Sequence, residues 1–92
     1  MKYSIRQTKR FKKSLKKMLR RGKDYSKLRA VVSRLACGQP LAPKFKDHPL
    51  SNNMAGLRDC HIENDWVLLY YYQDDVLVLT LSDTGTHSDL GL

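Results

Sequence analysis

The spacing of apolar residues changes once along this chain, and that change bounds the fold. Up to residue 36 they recur every three or four positions: Phe11, Leu15, Met18 and Leu19, then Leu28, Val31, Val32, Leu35 and Ala36. That is the stripe of an amphipathic helix. Thr8 and Asp24 stand where N-caps belong, and Gly22 and Gly38 where helices stop, with Pro40 beyond. The gap between the two stripes is short, which predicts an antiparallel helical hairpin. From residue 57 the pattern shortens to strand-like runs, about 57–62, 66–72 and 76–82, separated by the polar turns "END" and "QDD". A further short strand is predicted at 2–7, where Tyr3 and Ile5 alternate with polar residues. The expected order is β-α-α-β-β-β. This is an α+β fold, with the hairpin packed on one face of a small antiparallel sheet. With 92 residues the chain is expected to form one domain over 1–92.

Residues 38–56 hold three prolines, two glycines and two asparagines and read as a long loop. "FKDHPL" in its middle mixes apolar anchors with charge, which predicts a pinned loop. The longest apolar run, "WVLLYYY" at 66–72, is far short of the roughly 20 residues of a membrane span. The charged N-terminal stretch has no apolar leader region. A cytoplasmic protein with Cys37 and Cys60 as reduced thiols is therefore expected.

Charge is segregated as sharply as hydropathy. Residues 1–46 carry 16 Lys/Arg against the single acid Asp24, and residues 47–92 carry eight acids against Arg58. Lys9, Arg10, Lys12, Lys13, Lys16, Lys17, Arg20 and Arg21 surround the first helical stripe. Such a face suits a polyanion, nucleic acid first among them, because each phosphate contact releases counterions.

The chemistry sits in the other half. In "LRDCHIENDW", residues 57–66, strand alternation puts Leu57, Asp59 and His61 on one face. Arg58, Cys60 and Ile62 fall on the other, core-facing side. Asp65, in the following turn, is placed to fold back toward His61. All three histidines, His48, His61 and His87, lie outside the helices. Loop, strand and tail are expected to meet at one edge of the sheet. No CxxC, HxxxH or HExxH spacing occurs, and Cys60 and His61 face opposite ways, so no metal or other cofactor is expected. Cys60, on the core side, is a poor nucleophile. A basic half and a histidine–carboxylate face suit RNA cleavage by its own 2′-hydroxyl. The protein needs only to take that proton, return one to the 5′-oxygen and stabilise the phosphate. A non-catalytic RNA-binding module is the plainer alternative.

Three blocks, "KDHPL" at 46–50, "GLRDCHIENDWVLLY" at 56–70 and "TGTHSDL" at 84–90, make the chain resemble the YafQ branch of the RelE-type toxins of bacterial toxin–antitoxin pairs. The resemblance covers essentially the whole chain. It implies a ribosome-dependent endoribonuclease that cuts mRNA in the A site and arrests translation. It also implies a cognate antitoxin, expected to bring an acidic segment, and a site made of His48, His61, Asp65 and His87. In that site His61 and His87 would be the proton-transfer pair, with Asp65 tuning His61, His48 positioning or protonating, and Asp59 secondary. ParE-type relatives share the fold but poison DNA gyrase without needing the histidines. One departure stands out: Gly91 replaces the family's usual aromatic. Base stacking worth roughly 1–3 kcal/mol is missing there, and Leu90 and Leu92 are the apolar side chains left to pack.

Overall fold

The computed structural model describes residues 2–92. Its elements are β1 (Ser4–Gln7), α1 (Lys9–Arg20), α2 (Tyr25–Ala36), β2 (His48–Pro49), β3 (Arg58–Glu63), β4 (Trp66–Gln73), β5 (Val78–Gly85) and α3 (His87–Leu90). Both long helices begin at the expected caps. Thr8 Oγ1 accepts the Phe11 backbone N–H at 3.0 Å, and the Asp24 carboxylate accepts that of Ser26 at 2.9 Å. These caps satisfy donors that the first helical turn leaves open.

Five strands form one sheet in the order β1-β5-β4-β3-β2. The β3-β4-β5 meander is antiparallel, as expected. The whole sheet is not: β1 runs parallel to β5, with Ile5 opposite Leu79. Two helices and three strands separate β1 from β5, a connection long enough for parallel pairing, so the sheet is mixed. The long loop contributes the two-residue β2, which sets His48 opposite Asp59 and Pro49 opposite Arg58. Proline is tolerated there because β2 is an edge strand.

The last strand is shifted from its expected position. Val76 and Leu77 belong to the turn, 59% and 46% exposed, and Leu77 sits at φ +52°. β5 instead continues through the polar "SDTG" to Gly85. What carries it there is Thr84, fully inside: its Oγ1 accepts the Trp66 indole N–H at 2.9 Å and donates to the Val67 carbonyl at 2.7 Å. α3 follows at once, opened by a capping box between Thr86 and Asp89.

The main core lies on the helix side of the sheet. Phe11, Met18, Leu28, Val31 and Leu35 meet Ile62, Trp66, Leu68, Tyr70, Leu79 and Leu81 there. Leu19, placed in the α1 stripe by spacing, is 38% exposed instead. Cys60 is buried and Cys37 exposed, both as free thiols. The opposite face has a smaller cluster, Val67, Leu69 and Leu90, with Leu50 and Leu57 against it. The pinned loop is observed. Leu41 and Phe45 reach the main core, and Asp47 accepts from the Tyr70 hydroxyl and from Arg58 Nε.

Tyr70→Phe removes one hold on that loop and leaves Asp47 short of a donor. It should cost about 1–3 kcal/mol, which lowers the thermal midpoint by roughly 4–24 °C. Calorimetry of the two proteins checks this.

Candidate active site

The face of the sheet away from the long helices gathers the polar residues. Asp59 and His61 lie two residues apart on β3 and share that face, while Cys60 and Ile62 are buried in the main core. Alternation in the sequence predicted this division. β2 brings His48 across from Asp59. On the other side His61 pairs with Val67 and Val67 with Gly85, so the chain leaving β5 delivers His87 to the same place. The His61 and His87 ring centroids are 4.8 Å apart, edge to face at 74°.

The carboxylates divide differently from the sequence expectation. Asp65 does fold back from the β3–β4 turn, but onto His87 and not His61. Its Oδ1 accepts the His87 backbone N–H at 2.9 Å and contacts Nδ1 at 2.6 Å. The reason is the unforeseen α3, which carries His87 at its first position and presents that N–H toward the turn. These two contacts, the backbone one foremost, hold Asp65 below the usual carboxylate range. Asp59 is the residue beside His61, with Oδ1 3.5 Å from Nε2.

Protonation follows from these partners. An ionised carboxylate and a peptide carbonyl can only accept, so the nitrogen facing them carries the hydrogen. His87 therefore holds its proton on Nδ1 toward Asp65. His48 does the same toward the Lys46 carbonyl, 2.6 Å away. When either ring is neutral, Nε2 is the nitrogen left with a lone pair. Asp59 is only 3% exposed, and its Oδ1 has no hydrogen-bond partner. Burial raises the pKa of Asp59 against the opposing pull of His48, His61 and His87. Burial likewise lowers that of His61, and Asp59 works against it. Each group thus eases the charging of the other.

All eight basic residues singled out on α1 are exposed, but three of them turn toward acids of the second half. Arg10 lies 3.9 Å from Asp83, Lys17 3.9 Å from Asp89 and Arg21 2.8 Å from Asp89. Among the described residues Lys9, Lys12, Lys13, Lys16 and Arg20 make no such pair. Sequence reasoning also missed the Asp47–Arg58–Tyr70 network that carries the loop of His48. It missed α3 as well, although the spacing of Thr86 and Asp89 is that of a capping box. Gly91 closes α3 at φ +72°; Leu90 is tucked into the smaller cluster, and Leu92 is 42% exposed.

Fold and site together define a small basic α+β protein with three histidines and two carboxylates converging on one sheet face. The family model described as "Bacterial toxin of type II toxin-antitoxin system, YafQ" matches residues 3–91, and the chain belongs to that family. It is 40% identical over 81 residues to the mRNA interferase toxin YafQ of Escherichia coli strain B, spanning 87% of this chain and 86% of that protein. The crystal structure of a metal-bound toxin from Helicobacter pylori superposes with a TM-score of 0.90 at 41% identity, covering 96% of this chain and 98% of that one. The toxin in the Escherichia coli DinJ–YafQ complex superposes at 0.86 and 37% identity, covering 96% and 97%.

An NMR titration should place the His61 imidazole below its ordinary value of 6.5. Asp59→Asn should lower it further, since the carboxylate is what raises it. The neutral ring is the one the fold favours. This contribution to stability is therefore intact above pH 6.5 and is lost as pH falls through the lowered folded value.

Proposed function

We propose that this chain is an mRNA interferase, an endoribonuclease that cuts mRNA held in the ribosomal A site by metal-independent acid–base catalysis. The observation that carries the reading is the His61–His87 pair, with rings 4.8 Å apart and His87 fixed through Nδ1 by Asp65. The 2′-hydroxyl attacks the adjacent phosphorus as one imidazole takes its proton. The bond to the 5′-oxygen breaks as the other imidazole supplies a proton to it. The products are a 2′,3′-cyclic phosphate and a 5′-hydroxyl. With Nδ1 committed to Asp65, His87 works through Nε2 in either role. His48, on β2, stands opposite Asp59 and positions or protonates the phosphate; Asp59 supports His61.

Lys9, Lys12, Lys13, Lys16 and Arg20 of α1 grip ribosomal RNA, and the 2′-hydroxyl requirement makes the target RNA and not DNA. A cognate antitoxin with an acidic segment neutralises this toxin, as a DinJ–YafQ complex is known for the Escherichia coli relative. Among the described residues no helix is long and apolar enough to cross a membrane, and the proposed site of action is the cytoplasm.

Primer extension on mRNA from expressing cells tests the reading. Discrete, translation-dependent 5′ ends are expected. Supercoiling damage without cleavage would make the chain a gyrase poison, and neither outcome would leave an RNA-binding module. His87→Ala should slow cleavage about 10²- to 10⁴-fold with its stability within about 0.5 kcal/mol of the parent. His61→Ala should do the same at a larger stability cost. The reaction should survive a chelator selective for transition metals, which leaves ribosomal magnesium in place, and stop on a 2′-deoxy substitution at the scissile nucleotide. Replacing Lys12, Lys13 and Lys16 with Gln should weaken ribosome binding and flatten its salt dependence.

A further inference from the structure

α3 is too short to hold its own shape; four residues make one turn. Yet it fixes the histidine on which the proposed chemistry depends. What holds it is Asp89. Its Oδ2 accepts the Thr86 backbone N–H at 3.1 Å, and its own N–H donates to Thr86 Oγ1 at 3.0 Å. The same Oδ2 accepts from Arg21 Nη1 at 2.8 Å. Arg21 is the C-cap residue of α1, so its backbone is anchored to the long helix and not to the tail. Lys17, one turn earlier, stands 3.9 Å from the other oxygen. The seat is also shaped for Asp89: a Cβ at Gly85 would come within 2.9 Å of the Asp89 Cβ. A side chain at position 85 requires Asp89 or the strand end to shift.

We propose that Arg21 is a positioning residue for His87: by gripping Asp89 it fixes the start of α3, and with it the place of the His87 imidazole beside His61. Composition alone counts Arg21 among the RNA-binding cations; its guanidinium is instead engaged within the protein. Thr86 immediately precedes His87, so the Asp89–Thr86 bonds and the Asp65–His87 bonds hold consecutive residues from opposite sides. Asp89 is kept ionised far below the usual carboxylate range, the Arg21 hydrogen bond being the largest cause. The link therefore persists across the pH range in which imidazoles titrate. This inference rests on His87 acting in proton transfer.

The test is single-turnover cleavage on programmed ribosomes, with ribosome affinity measured separately and the His61–His87 ring contact followed by NMR. Arg21→Gln and Arg21→Met should each slow the saturating rate about 10- to 100-fold, the scale of an angstrom-sized misplacement. Both should lose the ring contact and keep the parental affinity. Arg21→Lys, still able to reach Asp89, should recover most of the rate, and the Arg21→Gln/Asp89→Asn double variant should be no slower than Arg21→Gln alone. A parental saturating rate, or a ring contact retained in the slowed variants, overturns the proposal. If the rate is parental and affinity falls, Arg21 belongs with the RNA-binding residues. Should Arg21→Gln fail to fold, Arg21→Met, which keeps the apolar stem and removes the donors to Asp89, decides alone. His87→Ala is run alongside. If it cleaves at the parental rate, the reading beneath the proposal fails; if it is inactive while Arg21→Gln and Arg21→Met are parental, only the link does.

Discussion

β4 is covered on both faces, and most of the structure follows from that constraint. Trp66, Val67, Leu68, Leu69 and Tyr70 are all buried, so successive residues need cover on opposite sides. The long helices bury Trp66, Leu68 and Tyr70. Val67 and Leu69 are covered by what remains: the pinned loop through Leu50, and α3 through Leu90. Those are the two segments that carry His48 and His87. Drying the second face of the sheet and assembling the histidines are thus one act of packing. Asp59, paired with Leu69 across the β3–β4 ladder, is buried too, and that burial raises its pKa.

The opposite charges of the two halves are partly spent on each other. Lys23 and Lys27 both reach Glu63 at 2.8 Å, tying the β3–β4 hairpin to α2. Arg21 and Lys17 meet Asp89, and Arg10 meets Asp83. Exposed pairs of this kind contribute little to stability singly. Their effect here is orientation: they set the turn of Asp65 and the helix of His87 relative to the helical layer. The cations of α1 consequently fall into two sets, one engaged inside the molecule and one left to meet a polyanion.

Residues whose role depends on period or on a local cap were legible in the sequence. The α2 stripe is buried throughout, Thr8 and Asp24 cap where spacing put them, and the face shared by Asp59 and His61 follows from strand alternation. What the sequence hid depends on partners distant along the chain. Leu77 continues the alternation of Leu79 and Leu81 but lies in the turn, since period cannot say where the neighbouring strand ends. The polar "SDTG" reads as a strand end until Trp66 supplies a partner for the Thr84 hydroxyl. Parallel pairing of β1 leaves no mark on four residues. Asp65 was rightly expected to fold back, and its partner was missed because α3, a single turn, falls below the length at which periodicity is visible.

The sheet has two edges, and they are not equivalent. At one, β2 is two residues long and contains Pro49, which offers no amide hydrogen to an incoming strand. Short length and proline are the ordinary protections against unwanted edge-to-edge pairing. At the other, β1 is paired only with β5, and Ser4–Gln7 are all exposed. Lengthening of this sheet is therefore one-directional: the side bearing His48 is terminated, and the side bearing Ile5 is open to continuation.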